Sequence, residues 1–388
     1  MNYPKKLVLL GATGSIGDST LKVIRKNPDK IQLVGISANQ QAEKLLKIAE
    51  EFKVPHACLS SEKGSVITFP SCTNLETGKD SLQELASLAA ADIVVVAVVG
   101  AAGLMPTLAA LKSGKDVVLA NKESLVMGGE IVTKTAKKYG ARIIPADSEH
   151  NGVFQCIQDQ PQQSIESIIL TASGGPFRDL PLDQLDRVSI EQALCHPNWS
   201  MGKKITVDSA TMANKGLELI EARWLFNLQP KQLEVVIHPP SIVHAIVRFI
   251  DGCCLAQMTP PSMTFAMQNA ILFPERHQGV EPSLDFSKPL DLSFSPPSLE
   301  RYPCLRLAQE SMEEGNSASL VFNASNEIAV DAFLRNRIGF LDIPRIIELT
   351  LNQIESISTE SIEDILTLDS ESRRIAATQT DLLAQHSL

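Results

Sequence analysis

An apolar run that breaks into closely spaced glycines and then turns at once into a helical pattern permits few folds, and this chain begins with one. Lys6–Leu10 is followed by Gly11-Ala12-Thr13-Gly14-Ser15-Ile16-Gly17, and helical spacing continues to Lys26 through Leu21, Val23 and Ile24. A second apolar run, Ile31–Ser37, completes a βαβ unit. Backbone N–H groups and the helix dipole at such a loop hold a dinucleotide pyrophosphate. The spacing is GxxGxxG rather than GxGxxG, so the strand-loop-helix context carries the reading and a structural glycine turn is the alternative. Ser37-Ala38-Asn39-Gln40-Gln41, at the end of the second run, carries no acid to repel a 2′-phosphate, which favours NADP; no Arg or Lys in that string adds to it.

Unalternated apolar stretches at Asp92–Val98 and Asp116–Ala120 read as strands buried on both faces, with helical spacing at Leu104–Lys112 between them. Residues 1–146 therefore read as a Rossmann-like parallel sheet. Strand candidates Ile165–Ala172, Leu233–His238, Ile242–Phe249 and Cys253–Met258, with a long helical pattern at Ala210–Phe226, predict an α+β domain over 147–273. Six prolines punctuate 274–303, a traversing linker, and 304–388 carries repeated helical spacing that fits a helical bundle. The fold class is α/β, and 388 residues suit several domains of about 100–200 residues each.

Composition removes whole classes of function. The formal charge of −10, from 45 acidic against 35 basic residues, leaves no broad cationic footprint for nucleic acid or anionic lipid. The longest apolar run, Ile93–Met105, is too short to cross a bilayer, and the apolar start breaks at Gly11, so neither a membrane span nor a leader is expected. Seven scattered cysteines without a CxxC pair suggest neither a disulfide framework nor a zinc ribbon, which places the chain in a reducing compartment, the cytoplasm.

Three further strings carry chemistry. In Asp147-Ser148-Glu149-His150, residues two apart on an extended chain face one side, so Asp147 and Glu149 present two carboxylates to one point. Mg²⁺ or Mn²⁺ wants such donors, and two solvated acids are the alternative. On a helix through Asp208–Glu218, capped by Asp208 or Ser209, one face presents Asn214, Lys215 and Glu218. Lys215 and Ser209 suit a phosphate dianion and Glu218 a third metal carboxylate, against an ordinary exposed salt bridge. Between Thr171-Ala172-Ser173-Gly174-Gly175 and His196-Pro197-Asn198-Trp199-Ser200-Met201-Gly202 no firm strand appears, which reads as a lid or as a plain surface loop.

Together these strings resemble the 1-deoxy-D-xylulose 5-phosphate reductoisomerase family. The likeness also takes in Gly100-Ala101-Ala102-Gly103-Leu104, Ala120-Asn121-Lys122-Glu123-Ser124, Tyr302-Pro303-Cys304-Leu305 and Asn323-Ala324-Ser325-Asn326-Glu327, nearly the whole chain. It implies an NADPH- and divalent-metal-dependent enzyme of the non-mevalonate isoprenoid route. Such an enzyme isomerises 1-deoxy-D-xylulose 5-phosphate and reduces the product to 2-C-methyl-D-erythritol 4-phosphate. By the same resemblance Asp147, Glu149 and Glu218 are metal ligands, and Ser148, Ser173, His196, Ser209, Asn214 and Lys215 contact substrate, with Ser173, Ser209, Asn214 and Lys215 on its phosphate. Thr13, Gly14, Ser15, Ile16, Asn121, Glu123 and Gly202 hold NADPH, Lys122 reaches substrate, and Trp199 and Met201 belong to a closing flap. Glu149 is expected to move protons beside the metal, and His196 either to orient substrate or to do acid–base work. A homodimer is implied too. The departure lies at Asn39-Gln40-Gln41, where many members carry a Gly-Lys-Asn type string, and the lost lysine loosens the expected grip on the 2′-phosphate.

Two rivals share the nucleotide fold. A phosphorylating semialdehyde or sugar-phosphate dehydrogenase needs an activated thiolate, and neither Cys156 nor Cys195 has an activating neighbour in sequence. A nucleotide-sensing protein without catalysis should have lost some of Asp147, Glu149, His196, Lys215 and Glu218, and all are present.

Overall fold

The structure is a computed structural model, and it describes residues 4–61, 68–78 and 80–386. In chain order the first elements are β1 (Lys5–Leu10), α1 (Ser15–Lys26), β2 (Ile31–Ala38), α2 (Ala42–Phe52), β3 (His56–Leu59), β4 (Asn74–Thr77), α3 (Ser81–Ala86), β5 (Ile93–Val96) and α4 (Leu104–Lys112). There follow β6 (Asp116–Leu119), α5 (Glu123–Tyr139), β7 (Ile143–Pro145), α6 (Ser148–Cys156), β8 (Ile165–Ala172), α7 (Ile190–Ala193), α8 (Lys203–Thr211) and α9 (Ala213–Leu225). The chain continues through β9 (Leu233–Ile237), β10 (Val243–Phe249), β11 (Cys254–Met258), α10 (Met263–Leu272), α11 (Pro303–Glu314), α12 (Asn316–Leu334), α13 (Asp342–Gln353) and α14 (Ile362–His386).

Two compact units result, each discontinuous. Met1–Ser124, Val132–Asn151 and Ser262–Ser283 form the first; Leu125–Ile131, Gly152–Pro261 and Leu284–Leu388 form the second. The first is built on the expected parallel sheet, in the order β4-β3-β2-β1-β5-β6-β7. Leu7–Leu10 and Ile93–Val96 are buried throughout, as unalternated central strands with helices on both faces must be. In α1 the buried Gly17, Thr20, Leu21 and Ile24 recur at helical spacing and form one face. The chain runs outward from β1 to β4 and then returns to the other side of β1 at β5, so the sheet has its topological switch between β1 and β5.

Residues 262–283, read in sequence as the end of the catalytic domain and the start of a linker, belong to this first unit. The reason is packing: α10 buries Ala266, Met267, Ala270 and Ile271 and lies against α1, and Lys5 Nζ donates to the carbonyls of Ile271 (3.2 Å) and Phe273 (2.8 Å).

The second unit holds a four-stranded sheet in the order β11-β10-β8-β9. β8 and β9 are parallel, and β10 is antiparallel to both β8 and β11. Burial alternates along β9 and β10, so one face packs inward. That face shares a single core with α9 and the C-terminal helices, through residues such as Leu170, Leu217, Phe322, Val330 and Ile346. The helical pattern expected over Ala210–Phe226 is corrected at its start. α8 ends at Thr211, Met212 takes a left-handed conformation (φ 61°), and α9 begins at Ala213. Asp208 and Ser209 therefore lie within α8 and cap nothing.

Candidate active site

In the first unit every expected cofactor and metal residue sits at the C-terminal ends of parallel strands. Residues 11–17 follow β1, 121–123 follow β6 and 147–149 follow β7. The glycine loop is a close-packed turn. A Cβ on Gly11 (φ 86°) would lie 2.5 Å from the Ala97 carbonyl oxygen, and one on Gly17 2.4 Å from that of Ala12. Gly11 donates its N–H to Ser37 Oγ (3.0 Å) and Ala12 to the Ser37 carbonyl (2.8 Å), which ties the loop to the end of β2. Asp18 makes the first rung of α1, donating to Gly14 at 2.9 Å, so the amides before it open the helix, and Gly14 and Ser15 are exposed. That cradle fits a pyrophosphate. One cation escaped the sequence reading: Lys44, in the first turn of α2, donates to the Thr13 carbonyl (3.0 Å) and pairs with Asp18 (2.8 Å). Its signal was position, one turn beyond the string that lacks a base.

Asn121 pins the neighbouring loops. Its amide reaches the carbonyls of Val98 (3.0 Å) and Gly100 (2.9 Å) and the Glu123 carboxylate (2.9 Å), and a Cβ on Gly103 would lie 2.2 Å from its Oδ1. Lys122 Nζ lies 2.9 Å from Asp147 Oδ2, both side chains largely buried. The extended-chain argument for Asp147 and Glu149 is corrected: β7 stops at Pro145, Asp147 accepts the Asn151 N–H (2.8 Å), and Glu149 lies in the first turn of α6. An oxygen of each carboxylate still lies within 4.8 Å of the other, a donor pair suited to a hard divalent ion. Ser148 donates its hydroxyl to Glu149. His150 is fully buried, its Nδ1 3.8 Å from Asp147 Oδ1.

In the second unit, Ser173 follows β8, Ser209 lies on α8, and Asn214, Lys215 and Glu218 lie on α9. The Asn214 amide and the Lys215 ammonium both donate to Glu218. This is no exposed surface pair: Lys215 is 3% and Glu218 1% exposed. His196 Nδ1 accepts the backbone N–H groups of Asn198 (3.2 Å) and Trp199 (3.0 Å), so its proton resides on Nε2 and is donated to Ser173 Oγ (3.0 Å). Burial and the neighbouring Arg178 push its pKa down to about 4, so the ring is neutral. Ser173 Oγ also accepts the Gly175 N–H (3.1 Å).

The lid candidate is shorter than the loop read from sequence. Phe177, Leu185 and Ala193 are core residues and a capping box starts α7, whereas His196–Gly202 is exposed or half-buried. There the Trp199 and His244 rings meet edge to face with their centroids 6.2 Å apart, and Gly202 precedes α8. His244, buried and bonded to Thr259 Oγ1 (2.9 Å), was not singled out in sequence.

The profile described as 1-deoxy-D-xylulose 5-phosphate reductoisomerase matches residues 7–129, and those for its C-terminal domains match 143–226 and 258–375. The reductoisomerase of Shewanella sediminis is 48% identical, over 96% of this chain and 98% of its own. That of Tolumonas auensis is 45% identical, over 97% and 99%. The chain belongs to the 1-deoxy-D-xylulose 5-phosphate reductoisomerase family. A solved reductoisomerase in complex with NADPH, fosmidomycin and magnesium superposes with a TM-score of 0.91 at 42% identity, over 98% of this chain and 99% of that one. The Zymomonas mobilis reductoisomerase in complex with NADPH gives 0.89 at 40%, over 97% and 99%.

Proposed function

We propose that this reductoisomerase-family chain converts 1-deoxy-D-xylulose 5-phosphate to 2-C-methyl-D-erythritol 4-phosphate, using NADPH and Mg²⁺ or Mn²⁺. The observation that carries the reading is full-length likeness to reductoisomerases together with an intact inventory of cofactor, carboxylate and phosphate residues. Asp147, Glu149 and Glu218 hold the metal, an all-oxygen set that fits a hard cation. Thr13, Gly14, Ser15, Ile16, Asn121, Glu123 and Gly202 hold NADPH. When bound, the metal supplies Lewis acidity and charge neutralisation, and NADPH supplies the hydride.

The chain's own residues do the rest. Ser173 receives two hydrogen bonds on its oxygen, so its own proton is directed to an incoming acceptor, a phosphate oxygen. Ser209, Asn214 and Lys215 complete the phosphate grip, and its binding energy closes Trp199 and Met201 over the substrate and excludes water. Lys122 holds Asp147 and reaches substrate, and Ser148 orients Glu149, which carries protons. A neutral Nε2–H imidazole is a poor cationic acid, so His196 acts by orienting Ser173 and the substrate. In this reading the first unit carries the cofactor cradle and two of the carboxylates, and the second the phosphate grip with its helical support.

The chain acts as a cytoplasmic homodimer. Its cysteines are all free thiols and, among the described residues, no helix is long and apolar enough to cross a membrane. The edge strand β11 offers a second copy an exposed, Leu255-bearing surface. Following NADPH absorbance with 1-deoxy-D-xylulose 5-phosphate, before and after chelation and readdition of Mg²⁺ or Mn²⁺, tests the function. Metal-dependent oxidation with methylerythritol phosphate as product supports it. No oxidation by a folded sample under any metal overturns it. NADH run alongside measures how far Asn39-Gln40-Gln41 has relaxed cofactor choice.

A further inference from the structure

Two strings noted in the sequence, Tyr302-Pro303-Cys304-Leu305 and Asn323-Ala324-Ser325-Asn326-Glu327, take no part in the assignments above. Each sends one buried side chain to the backbone segments that carry the phosphate residues. We infer that Tyr302 and Asn326 are positioning residues for the phosphate cradle, acting through the Gly174 carbonyl and the Asp208 carboxylate. The inference rests on the proposed function and adds to it.

The first arm is the Ser173 loop. Tyr302, 3% exposed at the start of α11, donates its hydroxyl to the Gly174 carbonyl at 2.9 Å. The Ser173 carbonyl is taken by Arg178 Nη1 (3.1 Å), and Arg301 Nη1 holds the carbonyls of Phe177 (2.9 Å) and Leu180 (2.6 Å). Gly174 and Gly175 are both left-handed (φ 82° and 68°). A Cβ on Gly175 would lie 2.8 Å from both the Ala210 Cα and the Ser209 carbonyl oxygen, so the loop that carries Ser173 is laid directly on the helix end that carries Ser209. With its carbonyls drawn toward these donors, the loop has one way to present the Ser173 hydroxyl.

The second arm is the corner between α8 and α9. Asn326, fully buried on α12, donates its amide to Asp208 Oδ1 at 2.9 Å, and Lys204 Nζ lies 2.8 Å from Oδ2. Asp208 is 1% exposed and precedes Ser209. Four residues on, Met212 turns the chain into α9, whose first turn carries Asn214 and Lys215. A buried carboxylate tolerates no loss of partners, so this group sets where the corner sits on the C-terminal helices.

The test measures KM and kcat for 1-deoxy-D-xylulose 5-phosphate, NADPH affinity by fluorescence, and thermal melting. The variants are Tyr302→Phe, Asn326→Asp and the exchange Asp208→Asn with Asn326→Asp. Tyr302→Phe, which removes one oxygen, is expected to raise KM about fivefold to tenfold. Asn326→Asp sets two carboxylates face to face and raises KM about tenfold or more. The exchange restores a donor–acceptor pair across the same helices and brings KM back to within about threefold of wild type. NADPH affinity stays within about twofold throughout.

An unchanged KM in both single variants overturns the inference. So does a fall of substrate and NADPH affinity in parallel with the melting temperature, the mark of general destabilisation. If Asn326→Asp does not fold, Tyr302→Phe decides alone. A wild type that turns nothing over overturns the proposed function instead, and calorimetry with inorganic phosphate then decides the positioning role: weaker binding by Tyr302→Phe supports it and equal binding overturns it.

Discussion

The imidazole of His196 shows how local hydrogen bonding fixes a tautomer that composition leaves open. Two backbone donors on Nδ1 place the proton on Nε2, and burial beside Arg178 lowers the pKa to about 4, below the ordinary 6.5. Between those values the unfolded chain takes up a proton that the folded chain refuses. The associated stability is therefore present above pH 6.5 and is lost as pH falls toward 4. Imidazole ¹⁵N shifts should show a neutral Nε2–H ring at pH 6, and a protonated ring there would refute this picture. Glu149→Gln is expected to cut kcat at least about a hundredfold and to weaken metal binding, with NADPH affinity within a few-fold; steady-state rates and metal titration check it. Lys215→Ala should raise the substrate KM about tenfold or more, because the phosphate loses its ammonium partner. That Asn214, Lys215 and Glu218 share one helix face was legible in the sequence. That Lys215 and Glu218 form a buried pair was not, because spacing on a helix says which residues share a face and nothing about what covers it.

Elements were legible where one local rule dominates. The loop after β1 is such a case, since only glycine tolerates the contacts made at positions 11 and 17. Gly17→Ala places a methyl 2.4 Å from the Ala12 carbonyl oxygen. It should pry the start of α1 from β1 and lower NADPH affinity about tenfold or more, with the substrate site spared; fluorescence titration reads this directly. The break between α8 and α9 was illegible because Met212 carries no glycine or proline signal. Its side chain is buried in the core, and that burial offsets the cost of a left-handed residue. The same break moved Asp208 from an expected cap to a buried anchor. β3 and β4, with the sequences HACL and NLET, lack the continuous β-branched run that marks β5, and so do not announce themselves.

At the scale of the whole molecule, the second unit leaves β11 at the edge of its sheet with Cys253, Cys254 and Leu255 exposed, Leu255 at 47%. An exposed edge bearing apolar side chains is a liability unless paired. Sedimentation velocity should give a dimer for the wild type, and Leu255→Lys should shift it toward monomer; a monomeric wild type at micromolar concentration would remove the homodimer. The C-terminal helices pack on one another as a bundle and share their core with this sheet, which is how Tyr302 and Asn326 come to reach Gly174 and Asp208.

The βαβ start and the central strands β5 and β6 of the first unit, and the chemical kinds of residue in the candidate site, follow from sequence alone. Both depend on short-range rules: apolar runs, glycine at forced turns, and side-chain types that only certain ligands require. Only the tertiary structure decided the rest. It returned residues 262–283 to the first unit, laid Gly175 against Ala210, neutralised His196 and buried Asp208 under Asn326. Each of these joins groups distant in sequence or depends on exclusion of water, and such contacts leave no periodic trace in the chain.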